Sequence, residues 1–160
     1  MDWHVLYLHP RCEKKMAEFC DVLDLHHYLP LRRETKIYQR RKVTVDKPVF
    51  PGYFFCAFDN DSRISVLQTN IVARVLEVPH QRSFLHELAQ IRKALAIDPT
   101  LWACEAVRTG TRVRITGGPF RGGEGGVTAR KASTKVLLNI DMIGQAVAVE
   151  IGRDLLEVTD

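Results

Sequence analysis

Glycine and proline occupy different parts of this chain, and their separation constrains the fold more than any total does. Nine of the ten glycines lie between Gly110 and Gly152, whereas six of the seven prolines precede residue 100. Glycine admits backbone conformations that other residues avoid and proline fixes φ, so the two parts need different backbones. The 160 residues suffice for two small domains. We predict an N-terminal domain over residues 1–97, a linker over residues 98–106 and a C-terminal domain over residues 107–160.

The N-terminal part has the patterns of a compact α+β domain. Segments rich in aromatic and β-branched residues predict strands, and apolar residues at helical spacing predict amphipathic helices. The basic segment between Pro30 and Pro48 has too few apolar residues to bury a face, so we expect an exposed hairpin or loop there. The predicted strands are Trp3–Leu8, His26–Leu29, Tyr53–Phe58 and Ala73–Val78. The first predicted helix runs from Cys12 to Leu23, the second begins at a cap near Asp59 and runs through Leu67, and the third begins at a cap at Ser83.

The C-terminal part alternates apolar and polar residues in short bursts, with glycine clusters between the first of them. Five bursts in about 50 residues, with no helical pattern, predict a small twisted β-barrel. The run from Gly117 to Gly126 superficially resembles a phosphate-binding loop, but it lacks the G-K-[ST] ending and is followed by a predicted strand. Tight turns and close strand packing explain these glycines better.

No residue pattern indicates an enzyme, a cofactor site or a metal site. His26 and His27 are adjacent, so on a strand they point to opposite faces, and the four cysteines include no C-x-x-C pair. Asp59 and Asp61 are better read as turn and cap residues than as a catalytic carboxylate pair. We therefore expect no catalytic residue, no metal and no cofactor.

Charge and hydropathy favour a cytoplasmic protein with an anionic partner. No apolar run approaches the length of a membrane span, and no signal peptide precedes Trp3. The net charge is only +4, but seven basic residues and two acids lie between Arg32 and Lys47. A polyanion, or an acidic protein surface, is a plausible ligand for that segment.

The strand Tyr53–Phe58 is apolar on both faces. Alternation places Tyr53 and Phe55 on one face, and Phe54 and Phe58 on the other. One face must serve the domain core, and the other is either covered as well or left for a partner. The pattern alone favours burial of both.

Several motifs together resemble the NusG family of bacterial transcription factors. In the N-terminal part they are Trp3-x-x-Leu-Tyr7, Phe50-Pro51-Gly52-Tyr53 and Thr69-Asn70 before Val72-Ala-Arg74-Val75. In the C-terminal part, the segment from Gly110 through Gly117-Gly118-Pro119-Phe120 to Val127 resembles a KOW motif at the start of an SH3-like barrel. The helix segment Ile91-Arg92-Lys93 and the ending Val147–Ile151 are more similar to specialised, RfaH-like or capsule-operon antiterminator paralogues than to the housekeeping factor.

The resemblance implies a monomeric elongation or antitermination factor that binds bacterial RNA polymerase through the clamp helices of its largest subunit. The resemblance also changes the expectation for the strand Tyr53–Phe58. It implies that the aromatic face of the sheet is a docking pocket, while Phe54 and Phe58 stay in the core. The implied polymerase-binding residues are Tyr7, Phe50, Tyr53 and Phe55. The residues implied to contact non-template or upstream DNA are Arg11, Lys14, Lys15, Asn70 and Arg74, with Arg40 and Arg41 extending the positive surface.

The C-terminal domain has a second partner in this family, either a ribosomal protein of the small subunit or the termination factor Rho. The implied contacts are Ile140, Met142 and Ile143, although Gln145 stands where the housekeeping factor carries arginine, which weakens the ribosome expectation. KOW barrels also occur in ribosomal proteins, so the alternative function is an RNA- or ribosome-binding protein acting in translation. The Phe50-Pro51-Gly52-Tyr53 strand start argues against that alternative.

Overall fold

The computed structural model describes residues 1–106, 111–127 and 133–159. The chain divides into two compact units, one formed by Met1–Pro30 with Phe50–Arg82 and the other by Leu31–Val49 with Ser83–Asp160. The helices are α1 (Glu13–Val22), α2 (Asn60–Leu67) and α3 (Gln81–Ile97), and 3₁₀ turns occupy Asp141–Ile143 and Arg153–Leu155. The strands are β1 (Asp2–Leu8), β2 (His27–Tyr28), β3 (Leu31–Tyr38), β4 (Arg41–Pro48), β5 (Tyr53–Phe58), β6 (Val72–Glu77), β7 (Ala103–Glu105), β8 (Arg112–Ile115), β9 (Glu124–Val127), β10 (Ser133–Ile140), β11 (Gln145–Gly152) and β12 (Leu156–Val158).

An antiparallel sheet with strand order β2-β5-β1-β6 forms the first unit. Alternation along β1 and β5 sends one set of side chains into a core with α1 and α2, as predicted for Phe54 and Phe58. Burying these apolar side chains is the main force that holds the helices against the sheet. The core includes Leu6, Leu8, Met16, Cys20, Phe54, Cys56, Phe58 and Val66.

The helix starts show how local chemistry sets the element boundaries. Asp59 caps α2 in a capping box, since its carboxylate accepts from the Ser62 backbone N–H at 2.9 Å and the Ser62 hydroxyl accepts from the Asp59 N–H at 3.0 Å. The predicted cap at Ser83 is wrong, because α3 already begins at Gln81. The Gln81 side chain bonds to both the N–H and the C=O of Trp3, at 2.7 and 2.8 Å.

The basic segment is a two-stranded ribbon, which confirms the hairpin prediction. Strands β3 and β4 pair from Leu31↔Pro48 to Tyr38↔Arg41. Gln39 and Arg40 connect them, and both have positive φ, of 48° and 65°. Two left-handed residues in a two-residue loop are the signature of a type I′ turn, which matches the twist of a hairpin.

The C-terminal sheet is antiparallel, with strand order β12-β8-β9-β10-β11-β7. Each of the five predicted apolar bursts contributes to one of the strands β8 to β12, although residues 128–131 of the expected second strand lie outside the described residues. Gly118 and Gly122 have positive φ, of 77° and 92°, as the turn interpretation requires. Gly125 serves close packing instead, because a Cβ there would lie 2.1 Å from the Leu137 carbonyl oxygen.

The predicted linker contains a strand. Ala103–Glu105 form β7, which pairs with β11 from Ala103↔Val147 to Glu105↔Gln145. The segment was predicted to be irregular because three residues are too few to show an alternating pattern. The two compact units also differ from the predicted domains, since the hairpin and most of α3 group with the C-terminal sheet. The boundaries at residues 97 and 107 remain a prediction about independent folding.

Within the second unit, α3 contacts the C-terminal sheet through two polar side chains. The Gln90 side-chain oxygen accepts from the Glu124 backbone N–H at 2.6 Å, and the Glu87 carboxylate accepts from the Asp141 N–H at 3.2 Å. Burial, together with the nearby Asp141 carboxylate, raises the pKa of Glu87 to about 7, and Arg112 opposes the shift. This contact therefore carries an acid that titrates near neutral pH.

Replacing Gly125 with alanine should destabilise the C-terminal sheet, because the new Cβ has no space beside Leu137. Because the obstructing atom belongs to the backbone, we expect a loss of about 3 kcal/mol in the free energy of unfolding, measured by urea denaturation. Gly122→Ala is the control, since a Cβ there meets no atom within 4 Å and only the left-handed φ is unfavourable, at about 1 kcal/mol. Equal losses for the two variants would contradict the close packing.

The raised pKa of Glu87 predicts that stability falls with pH. The folded state favours the protonated acid, so its contribution is complete below the unfolded pKa near 4.5 and is lost as the pH rises through about 7. Wild type should therefore lose stability relative to Glu87→Gln between pH 5 and pH 8, measured by urea midpoints. Glu18→Gln, on the exposed surface of α1, should show the same change of urea midpoint with pH as wild type. If Glu87→Gln also showed the same change with pH as wild type, the raised pKa of Glu87 would be contradicted.

Candidate polymerase-docking and nucleic-acid surfaces

A row of three side chains crosses one face of the first unit's sheet. Tyr7 on β1 pairs with Tyr53 on β5 and with Arg74 on β6, and cross-strand partners project from the same face. The two tyrosine rings meet edge to face, with centroids 5.2 Å apart. Tyr7 is 43% exposed, Tyr53 is half-buried and Arg74 is exposed. The row offers an aromatic surface with a cation at one end.

The turn Phe50-Pro51-Gly52-Tyr53 fixes the position of this row. The Tyr53 N–H donates to the Phe50 carbonyl at 3.0 Å, and Gly52 has φ +90°. Proline at the second position and positive φ at the third are typical of a type II turn. The Leu8 N–H then donates to the Gly52 carbonyl at 2.7 Å, which joins the turn to the end of β1.

Two further contacts surround Gly52. A Cβ at Gly52 would lie 3.0 Å from the Tyr7 ring, so the absence of a side chain makes room for that ring. The Gly52 N–H donates to the Glu13 carboxylate at 3.3 Å, and Glu13 is 6% exposed. This positioning role of Glu13 is not evident from the sequence, because a glutamate in the first turn of a helix is ordinary.

Phe50 and Phe55 are buried, unlike Tyr7 and Tyr53, which were predicted to bind polymerase together with them. Phe50 is 1% exposed and Phe55 is 0% exposed. The pattern alone predicts burial of both faces of β5, and this is what is found at Phe55 and Ala57. The face that carries these residues is accessible to solvent only at the Tyr53 end of the strand. Of the four predicted polymerase-binding residues, the structure brings Tyr7 and Tyr53 together at an accessible position.

Three of the seven predicted DNA-binding residues, Arg11, Asn70 and Arg74, lie at the end of the sheet where this row is found. Arg11 and Asn70 are exposed and have positive φ, of 64° and 62°. Their loops are joined, since the His9 N–H donates to the Ile71 carbonyl at 2.9 Å. Lys14 and Lys15 are exposed in the first turns of α1. The loop residues and Arg74 therefore share one edge of the first unit.

The remaining predicted residues belong to the second unit. Arg40 and Arg41 are exposed at the hairpin tip. Ile140 is 0% exposed at the end of β10, so it supports the fold instead of presenting a surface. Met142 and Ile143 are half-buried in the 3₁₀ turn that follows, which ends at Gly144 with φ 64°.

The structure gives no indication of metal chemistry or membrane insertion where it describes the chain. Across residues 1–106, 111–127 and 133–159, no group of three or more His, Cys, Asp and Glu side chains is arranged to hold a metal ion. In the same ranges, no helix is long and apolar enough to cross a membrane.

Comparison with known proteins gives a family for these features. The sequence model described as "Transcription termination factor nusG" matches residues 1–94, which include the turn, the tyrosine row and both loops at its edge. No curated protein sequence matches the chain.

Two solved structures align with 99% of this chain. The one described as "Domain interaction in Thermotoga maritima NusG" is 18% identical over 99% of this chain and 97% of that chain, with a TM-score of 0.54, which shows a similar fold. The one described as "Crystal Structure of MjSpt4:Spt5 complex conformation B" is 14% identical over the same shares, with a TM-score of 0.31, which is too low to indicate a shared fold. Since the matched segment exceeds half of the sequence, the chain belongs to the NusG family of transcription factors, whose members are not enzymes.

Proposed function

We propose that this chain is a transcription elongation factor that binds bacterial RNA polymerase and suppresses pausing or termination. The observation that carries the proposal is the exposed Tyr7–Tyr53 pair, held at a fixed position by the Phe50-Pro51-Gly52-Tyr53 turn in a NusG-family domain. Aromatic side chains on a rigid surface are the residues in which protein–protein binding energy concentrates. Their proposed partner is the clamp-helix pair of the largest subunit.

The cations beside the pair suit a nucleic acid strand near the polymerase. Single-stranded DNA needs positive charge for its phosphates and planar groups for its bases, and the guanidinium group of arginine provides both. Arg74 lies in the row itself, and Arg11 and Asn70 lie at its edge. We propose that they contact the non-template strand, with Lys14 and Lys15, and that Arg40 and Arg41 reach upstream DNA.

The role of the C-terminal sheet completes the proposal. Its six strands and its glycine-turned loop are compatible with a KOW domain of SH3-like form, whose second partner is a ribosomal protein or Rho. Met142 and Ile143 would supply the contact, and buried Ile140 would support it. Action on specific operons, as in the RfaH-like branch, rests on the sequence resemblance alone. The alternative role in translation leaves the tyrosine row without a purpose.

Removing the tyrosine pair should weaken polymerase binding. Truncating a hot-spot aromatic residue costs about 2 kcal/mol or more, so Tyr7→Ala/Tyr53→Ala should bind core RNA polymerase at least roughly 30-fold more weakly. Binding is measured by biolayer interferometry without nucleic acid. Tyr38→Ala, which removes an equally aromatic side chain that is 67% exposed on the hairpin, is the matched control. Unchanged affinity of the double variant, or an equal loss in the control, would exclude docking through the pair.

Removing the cation of the row should weaken contact with DNA but leave polymerase binding intact. A lost phosphate contact lowers the salt dependence of log K by about 1. We therefore expect Arg74→Ala to bind an elongation complex more weakly, with a shallower salt slope, and to bind core polymerase normally. Arg92→Ala, exposed on α3, controls for general charge loss. A wild-type salt slope for Arg74→Ala would remove this residue from the DNA surface.

A further inference from the structure

One face of the β3–β4 ribbon carries basic side chains along its length and an aromatic ring at its tip, with one acid and two valines among them. Alternation places the even-numbered residues of β3 on this face, together with their partners on β4. Arg32 pairs with Lys47 at the base of the ribbon, and Tyr38 pairs with Arg41 at its tip. About six residues of strand separate the two ends, which corresponds to roughly 20 Å.

Trp102 extends this face at the base of the ribbon. Its ring lies over the Arg32 guanidinium, with 3.5 Å between the guanidinium carbon and the ring centroid. The Arg33 backbone N–H donates to the Pro99 carbonyl at 2.6 Å, which holds the segment before Trp102 against the ribbon. Arg32 is 6% exposed, but Trp102 is 66% exposed. One side of the indole is therefore supported by a buried cation while much of the ring stays open to solvent.

The tip of the ribbon provides a second open ring. Tyr38 is 67% exposed, and its neighbours on the same face are Arg41 and Val43, both exposed. An exposed aromatic ring beside a cation offers a face on which a nucleic acid base can stack. The two rings stand at opposite ends of the same face.

Two ammonium groups lie between the rings. The Lys47 ammonium is 3.0 Å from the Glu34 carboxylate, and the Lys36 side chain lies beside that of Lys47. This contact between like charges lowers the pKa of Lys36. Glu34 is the one acid on this face of the ribbon, and it also lies 3.7 Å from Arg32. The face keeps an excess of positive charge that a bound anion would neutralise.

We propose that this face, from Trp102 to Tyr38, binds single-stranded nucleic acid. Bases stack on the open rings of Trp102 and Tyr38, and the phosphates between them contact Lys36, Lys47 and Arg41. Stacking platforms at both ends of a cationic track match the chemistry of strand binding without sequence preference. An acidic peptide would use the lysines but has no use for the two rings, so a nucleic acid strand is the better fit.

This surface is separate from the tyrosine row, and its residues belong to the second unit. It requires no polymerase, so binding of an oligonucleotide to the isolated protein tests it independently of the proposed docking function. Failure here leaves polymerase docking untouched, and failure of docking leaves this surface untouched.

The test is a fluorescence-anisotropy titration of the full chain with labelled 15-mers of dT and rU, a duplex of equal length and polyglutamate. We expect micromolar or tighter binding of at least one single strand, and the comparison of dT with rU identifies which. Loss of one stacked base should weaken binding roughly fivefold or more in Trp102→Ala, with partial recovery in Trp102→Phe. Lys36→Ala/Lys47→Ala should lower the salt slope by about 1.4.

The opposite face of the ribbon supplies matched controls. Ile37→Ala removes an apolar side chain that is 76% exposed, and Lys42→Ala removes a cation from the same opposite face. Both should bind as wild type does. In a Trp3→Phe background, the remaining fluorescence of Trp102 should be quenched by the bound strand, which reports stacking directly.

Three results would overturn the proposal. The first is no binding of either single strand at low salt. The second is binding that Trp102→Ala and the double lysine variant leave unchanged. The third is binding of the duplex or of polyglutamate as tight as that of the strands, with equal losses in the control variants. If Trp102→Ala is misfolded by circular dichroism, the lysine variant and the Trp102 quenching decide the outcome.

Discussion

The hydrogen-bonded turn that begins β5 is the constraint on which the first unit depends. The Gly52 carbonyl accepts from the Leu8 N–H, and the Gly52 N–H donates to the Glu13 carboxylate, so one residue joins β1, β5 and α1. Its positive φ and missing Cβ allow the Tyr7 ring to lie against the turn. The register that follows puts Phe54, Cys56 and Phe58 in the core and sets Tyr53 beside Tyr7. The alignment of β1 with β5 therefore determines both the packing of the core and the position of the proposed partner surface.

The two units present their charges in different ways. In the first, Arg74 and the loop residues Arg11 and Asn70 surround an aromatic pair at one edge of the sheet. In the second, cations follow a ribbon whose sides both face solvent near its tip. A net charge of +4 is too small to drive binding by itself, so the partners we propose for the two surfaces depend on the local placement of charge beside aromatic rings.

Sequence reasoning succeeded where a pattern is repeated locally and was limited where distant segments meet. Apolar strand formers predicted β5, a capping residue predicted α2, and the lack of apolar residues predicted an exposed hairpin or loop between Pro30 and Pro48, because neighbouring residues determine these features. The burial of Phe55 and Ile140 depends on residues far away in the sequence, so the predicted surfaces included side chains that are inaccessible. Trp102 was assigned to an irregular linker, and only the fold shows that Arg32 lies beneath its ring. The contact of Gly52 with Glu13 was hidden for the same reason.

We propose that the Tyr7–Tyr53 pair faces the largest subunit of RNA polymerase. Photo-crosslinking from position 7 measures this directly, with benzoyl-phenylalanine replacing Tyr7 in an assembled elongation complex. We expect a crosslink to the clamp helices of the largest subunit, and unlabelled wild-type protein should compete it away. The same probe at the exposed position Glu18 should give no crosslink. A probe at position 7 that labels no polymerase subunit, while the protein remains bound to the complex, would contradict it.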